Sequence, residues 1–178
     1  MQTPNTTRSM AEGLADFAAG LAFDDVPAAV RERAKLQILD ALGTGIASHA
    51  YPFAEKVLTG IYALGGGGAC SVIGRKEGLS PRDAALANGY LMHGLDFDDT
   101  HLGSIIHATV ASFPAALAVG ESIEASGSDV LLAYMAGMET AIYNVVEPGD
   151  TVIVCQNGFF GSRMADMAKR CGADVILV

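Results

Sequence analysis

Apolar residues recur at helical spacing along the first 143 residues of the chain. Between residues 10 and 21, for example, Leu14, Phe17 and Leu21 fall on one face, three and four positions apart. A cap residue followed by proline, as at Ser80-Pro81, marks the start of a helix. The pattern predicts helices over residues 10–21, about 27–48, 53–64, 81–94, about 107–125 and 130–143, with a short extended piece at 70–74.

The pattern changes after residue 147. Residues 151–155 and 174–178 are apolar and β-branched, as strands are, and residues 159–171 between them form an amphipathic helical pattern. A strand, a helix and a second strand predict a βαβ unit with parallel strands. We therefore expect a mostly α fold, a helical bundle followed by a short βαβ fragment, divided into residues 1–143 and 144–178.

Composition and charge narrow the class of protein. Of 178 residues, 51% are apolar and 17% are charged, which is enough apolar material for one core. The net charge of −9, without a basic cluster, argues against nucleic acid or an anionic membrane as a partner. Three cysteines without a CxxC pair fit a reducing, cytoplasmic setting. The uncharged run 102–120 is too polar for a membrane span, and its Pro114 predicts a kink or a late helix start.

The chemistry concentrates where the fourth predicted helix ends. The stretch Leu-Asp-Phe-Asp-Asp-Thr-His (95–101) brings three carboxylates, a hydroxyl and an imidazole together, and a second imidazole follows at His107. Such groups suit proton transfer. The alternative is a solvated helix end whose aspartates cap the next turn. A metal site is a further alternative, but no HxH or HxxxH spacing supports it, so no metal is predicted.

The Asp-Phe-Asp-Asp-Thr motif and its flanks resemble the 2-methylcitrate dehydratase (MmgE/PrpD) family over about residues 10–140. The resemblance implies an all-helical domain and a lyase or isomerase of small polycarboxylates that removes a proton next to a carboxylate without a cofactor. It implies a catalytic set of His107, Asp96 and Thr100, with His107 as the family's loop histidine. Asp99 and His101 are the expected substrate-binding residues, and the alternative for His101 is a side chain that only faces solvent. The family commonly has His-Pro-Ser where this chain has His-Ala-Thr (107–109).

The tail has a second resemblance. Residues 136–178, with Glu-Pro-Gly-Asp-Thr-Val-Ile-Val and Gly-Phe-Phe-Gly-Ser-Arg, resemble class V alanine/serine-glyoxylate aminotransferases, which use pyridoxal phosphate. We therefore expect a junction of two partial proteins, inactive alone because the family's second histidine and its lysine come from later in the chain. A homo-oligomer is also expected. The alternatives are a fragment of a pyridoxal-phosphate aminotransferase and a non-catalytic helical association module.

Overall fold

The structure, a computed structural model, describes residues 10–100, 106–143, 151–154, 165, 168–169 and 172–177. This part of the chain is mostly helical, as predicted, and each of the six helices predicted between residues 10 and 143 begins and ends within three residues of its expected bounds. The extended piece expected at 70–74 is a strand that begins three residues earlier, at Gly67. The elements are α1 (Met10–Gly20), α2 (Ala28–Ser48), α3 (Pro52–Leu64), β1 (Gly67–Cys70), α4 (Pro81–His93), α5 (Ala108–Ser122), α6 (Gly127–Tyr143), β2 (Thr151–Val154) and β3 (Asp174–Leu177), with a 3₁₀ turn at Phe23–Asp25.

Helix α4 lies at the centre of the bundle and packs against α2, α3, α5 and β1. Two apolar cores meet along it. Leu91 belongs to the core shared with α3 and β1, whereas its neighbour Met92 belongs to the core shared with α2, α5 and α6. Both side chains are fully buried. Because truncating such a residue to alanine costs about 2–5 kcal/mol, these cores hold α4 firmly.

Buried polar contacts fix the position of α4 along its axis. The Asn88 side chain donates to the Ser71 carbonyl at 2.8 Å and accepts from the Ile73 amide at 2.8 Å. The Ser48 hydroxyl donates to the Leu91 carbonyl at 2.6 Å. Since a buried polar group is costly when it has no partner, these bonds select one register of α4 against its neighbours.

Helices α4 and α5 approach closely beside Pro114. The proline lies inside α5, which begins six residues earlier at Ala108. Of the two predicted alternatives, a kink or a late helix start, the late start is therefore wrong. Proline has no amide hydrogen and leaves the Val110 carbonyl without its helical donor. A Cβ built on Gly89 would lie 2.9 Å from that carbonyl oxygen. The absence of a side chain at Gly89 therefore permits the close contact.

The two C-terminal strands pair in parallel, with Thr151 opposite Asp174 and Val154 opposite Leu177. The predicted strands and their parallel order are confirmed. Residues 165, 168 and 169 between them are helical, and the rest of the helix expected at 159–171 lies outside the described residues. In the described part of the chain, none of the helices combines the length and apolar character that crossing a bilayer requires.

Candidate active site

The site begins where α4 ends, at His93. Gly94 follows as the C-cap, and the Asp96 amide donates to the His93 carbonyl at 2.8 Å. Asp96 adopts a left-handed backbone conformation with φ of 51°, which aspartate tolerates better than most residues. This turn reverses the chain, so that the residues after it lie beside the end of α4.

Asp98 is the buried centre of the site. Its side chain is only 1% exposed, and its two oxygens meet two different imidazoles. Oδ1 lies 3.0 Å from Nδ1 of His93, and Oδ2 lies 3.1 Å from Nδ1 of His107. A buried carboxylate is stable only when it is paired and hydrogen-bonded. The two histidines supply that pairing.

The two imidazole rings also contact each other. The centroids of His93 and His107 lie 4.8 Å apart with an interplanar angle of 61°, an edge-to-face arrangement. On its other side, Nε2 of His107 lies 3.8 Å from Oδ1 of Asp96, whose side chain is 81% exposed. His107 therefore lies between one buried carboxylate and one exposed carboxylate.

The Thr100 hydroxyl faces the same ring. Its Oγ1 donates to the Asp98 carbonyl at 3.2 Å and lies 3.4 Å from Nδ1 of His107. Thr100 is exposed. The Thr100 hydroxyl and the exposed Asp96 carboxylate thus face the two different nitrogens of His107. Groups of these types can exchange a proton with a bound molecule.

Asp99 connects this loop to the helix bundle. Its Oδ1 accepts from the Thr109 amide at 3.3 Å, in the first turn of α5. Burial raises the pKa of Asp99, the negative charge of Asp98 raises it further, and the hydrogen bonds from Thr109 oppose the shift. The Thr109 hydroxyl also lies 2.7 Å from that of Tyr134, whose pKa burial raises to about 12. The contact gives Asp99 a structural role, and its predicted part in substrate binding stays a prediction.

Comparison with known proteins shows the family of most of the chain. Residues 12–147 match the family model of the MmgE/PrpD N-terminal domain. The chain belongs to the MmgE/PrpD family. It is 32% identical over 141 residues to a cis-aconitate decarboxylase of Aspergillus terreus, covering 76% of this chain and 29% of that protein. The cis-aconitate decarboxylase of Mus musculus is 31% identical over 137 residues, covering 74% and 28%. The chain thus spans less than a third of the length of these MmgE/PrpD relatives.

A second group of relatives matches only a short segment. The alanine–glyoxylate aminotransferase of Rattus norvegicus is 53% identical over 38 residues, which cover 21% of this chain and 9% of that protein. The predicted resemblance to both families is therefore confirmed, with MmgE/PrpD accounting for most of the chain. The predicted boundary between residues 143 and 144 stays a prediction.

The structure brings three of the five predicted site residues of this MmgE/PrpD chain together: His107, Asp96 and Thr100. Asp99 lies next to them but bonds to α5, and His101 lies outside the described residues. The roles predicted for all five stay predictions.

Sequence reasoning missed two members of the cluster. Of the three aspartates in the motif, Asp98 alone receives no role from the sequence. A single histidine near the end of an apolar helix, such as His93, is more often structural than part of a site. Their spacing of five residues across a helix end gives a weak signal, because no regular period relates positions on either side of a turn. The left-handed Asp96, which brings Asp98 back to His93, is visible only in the structure.

The same group has the composition of a metal site. His93, Asp96, Asp98 and His107 can each offer one ligand atom, and these atoms lie within 4.8 Å of one another. Nitrogen and oxygen donors of this kind suit zinc. The hydrogen bonds from the two imidazoles account for the buried carboxylate without an ion. The expectation of no metal and no cofactor stays a prediction.

Proposed function

We propose that this chain contributes the histidine and aspartate part of an active site that acts as a lyase on small polycarboxylates. The observation that carries the proposal is the placement of His107 between the buried Asp98 and the exposed Asp96, with Thr100 on the same ring. An imidazole between carboxylates can take up a proton and is stabilised when it becomes positively charged.

The proposed reaction step is proton transfer at a carbon next to a carboxylate. In a dehydration, His107 would remove that proton, the bond between the neighbouring carbon and its hydroxyl oxygen would break, and the protonated imidazole would give its proton to the departing hydroxide to form water. In a decarboxylation, the bond to the leaving carboxylate would break, carbon dioxide would depart and the protonated imidazole would return its proton to the carbon. Asp96 and Thr100 would orient the substrate through hydrogen bonds, with Asp99 and His101 as further candidates.

Among polycarboxylates, cis-aconitate is the first substrate to test, because two relatives that match three quarters of the chain are cis-aconitate decarboxylases. 2-Methylcitrate is the second, from the family resemblance. Turnover by the chain alone is expected to be undetectable, since a site whose members act as a unit loses most of its rate when some are absent. The chain spans 29% of the length of the fungal relative.

Binding gives the decisive experiment. Backbone amide NMR spectra of the chain titrated with cis-aconitate should shift at His93, at residues 96–100 and at His107. His107→Gln should abolish these shifts. His49→Gln is the matched control, because among the described residues His49 bonds to the Ile73 carbonyl at 2.8 Å, away from the candidate site, and glutamine can still donate there. Shifts that persist in His107→Gln, or none in the wild type at saturating ligand, would refute the proposal.

The cytoplasmic setting also belongs to the proposal. Cys70 is the described cysteine, and its thiol is free and buried. It donates to the Ala118 carbonyl at 3.3 Å. A free buried thiol is typical of a reducing compartment. Retention of the unfolding midpoint under strong thiol reductant is the expected outcome, and a large loss of stability would point to a disulfide elsewhere in the chain.

An association function is the second candidate. Three large apolar residues of α2, namely Leu36, Leu39 and Ile46, are more than half exposed and lie at helical spacing. Scattered apolar residues are ordinary on a surface, but a stripe along one helix favours a partner. We propose a homo-oligomer. Light scattering over a dilution series should show a mass above 18.4 kDa that Leu39→Glu reduces, and a monomer at every concentration would contradict this.

The aminotransferase alternative has less support, because that match covers 21% of the chain. A chain of this class would form a Schiff base between pyridoxal phosphate and a lysine. Adding the cofactor is therefore expected to produce no new visible absorbance band that borohydride reduction removes. Such a band would favour the aminotransferase alternative.

A further inference from the structure

We propose that Asp98 is a positioning residue, which fixes the proton of neutral His107 on Nδ1 and leaves Nε2 as the nitrogen that exchanges a proton with substrate. His93 would hold Asp98 in place for this role. The inference rests on the proposed function of His107 in proton transfer. The position of the ring proton, however, is a property of the chain without substrate and can be measured separately.

Nδ1 of His107 has two hydrogen-bonding neighbours among the described residues. Oδ2 of Asp98 lies 3.1 Å away and Oγ1 of Thr100 lies 3.4 Å away. The Thr100 hydroxyl hydrogen is directed to the Asp98 carbonyl, 3.2 Å from Oγ1, so Oγ1 presents lone pairs to the ring. A carboxylate oxygen and a hydroxyl oxygen both accept. The ring nitrogen between them therefore carries the hydrogen.

The Asp98 carboxylate is held in place by its two imidazole neighbours. Nδ1 of His93 lies 3.0 Å from Oδ1 and 3.3 Å from Oδ2 of Asp98, and Nδ1 of His107 lies 3.1 Å from Oδ2. His93 is the last residue of α4, whose position two apolar cores fix, so the carboxylate is anchored to the rigid part of the molecule. The edge-to-face contact between the rings further restricts rotation of His107. A charged side chain held at 1% exposure can orient its partner with little freedom.

The other ring nitrogen of His107 is Nε2. Nε2 of His107 faces Oδ1 of Asp96 at 3.8 Å, which is longer than a hydrogen bond, and the described residues offer Nε2 no closer partner. With its hydrogen on Nδ1, the neutral ring has a lone pair on Nε2. That lone pair can accept a proton from a substrate carbon, and both carboxylates then stabilise the cation. A buried aspartate behind a catalytic imidazole serves the same purpose in serine proteases.

Nitrogen NMR of the chain with ¹⁵N-labelled histidine tests the assignment. Two-bond proton–nitrogen correlations at a pH where the rings are neutral show which nitrogen carries hydrogen. We expect hydrogen on Nδ1 in both His107 and His93. His49 is an internal control with the opposite expectation, since its Nε2 lies 2.8 Å from the Ile73 carbonyl and must donate to it. Single His→Gln variants assign the signals.

Two variants separate positioning from general structural support. In Asp98→Asn, the side chain keeps only one strong acceptor, so at least one of His93 and His107 should move its hydrogen to Nε2, the form that imidazole prefers in water. Asp96→Asn, 3.8 Å from the ring, should leave both unchanged. An unchanged His49 signal shows that each variant is folded.

Several outcomes would overturn the inference. One is hydrogen on Nε2 of His107 in the wild type, a result that needs no variant to fold. A second is an unchanged pattern for both rings in Asp98→Asn. A third is a wild-type pattern that alters with a chelator, because a metal ion would then determine the free nitrogen. Loss of cis-aconitate binding with an intact Nδ1 hydrogen would refute only the proposed function.

Discussion

The two ends of α4 use aspartate in opposite ways. At the first end, Ser80 caps the helix and Asp83 accepts hydrogen bonds from Ser80 and Arg82, where the positive end of the helix dipole favours a carboxylate. At the last end, three aspartates follow within six residues of His93, where the dipole is negative. There, imidazoles and the first turn of α5 compensate the charge. The candidate active site therefore lies at the end of α4 where the helix dipole disfavours carboxylates.

Both ends of α4 depend on a fixed position of the middle of the helix, and Gly89→Ala tests this with the largest expected effect. A Cβ at this position would lie 2.9 Å from the Val110 carbonyl oxygen, so one backbone must move. We expect a loss of about 2 kcal/mol in the free energy of unfolding, from urea denaturation, despite the better helix propensity of alanine.

Gly60→Ala in α3 is the matched control, because a Cβ there meets nothing within 4 Å. It should raise the free energy of unfolding by about 0.5–1 kcal/mol. Equal effects of the two substitutions would mean that α4 and α5 are not in close contact at Gly89.

Ser80→Ala tests the first end of the helix. The side chain accepts from the Asp83 amide, so its loss should lower the free energy of unfolding by about 1 kcal/mol. Ser122→Ala near the end of α5 serves as a control, because that hydroxyl only donates to the Val119 carbonyl at the surface. Its effect should stay within about 0.5 kcal/mol. An unchanged free energy of unfolding in Ser80→Ala would contradict the stabilising role of the Ser80 cap.

Asp96→Gly tests the last end of α4. Its effect on the free energy of unfolding should be opposite in sign to that of Ser80→Ala. Glycine adopts the left-handed conformation without a steric cost, so the free energy of unfolding should stay the same or rise by up to about 1 kcal/mol. Cis-aconitate binding should weaken at the same time. Glu124→Gly, the other described residue with positive φ among non-glycines, should stabilise similarly without changing binding. A marked loss of stability in Asp96→Gly would contradict the comparison.

The pH dependence of stability should also differ between the carboxylates at the two ends of α4, with the smallest of the expected effects. Hydrogen bonds from Arg82 and Ser80 lower the pKa of Asp83, so its contribution to stability is lost as pH falls below about 4, where the unfolded chain takes up the proton first. Burial raises the pKa of Asp99, so the folded chain takes up the proton first, and the resulting stability is lost as pH rises through the folded value.

The measurement is the free energy of unfolding from about pH 3 to about pH 6, a range that spans the ordinary carboxyl pKa values. Asp83→Asn should make the acid loss shallower, and Asp99→Asn should make it steeper. The same direction of change in both variants would show that the two carboxylates do not differ in environment as described.

Much of this molecule follows from local pattern. Apolar spacing and cap residues predicted all six helices because α-helix periodicity and termini depend on nearby residues. The parallel strand pair followed from β-branched runs on either side of a helical segment. Charge and the Asp-Phe-Asp-Asp-Thr motif located the site within about ten residues. The same motif led to the family, which the match over residues 12–147 confirms.

The sequence alone did not determine which aspartate is buried. Asp96, Asp98 and Asp99 are chemically equivalent in the printed sequence, and their differences come from neighbours that are remote along the chain or lie across a turn. The left-handed turn at Asp96 and the packing of α4 against α5 bring His93 and His107 to one carboxylate. Burial and charge pairing depend on that three-dimensional arrangement. For this reason the tertiary structure alone identified Asp98 as the centre of the site.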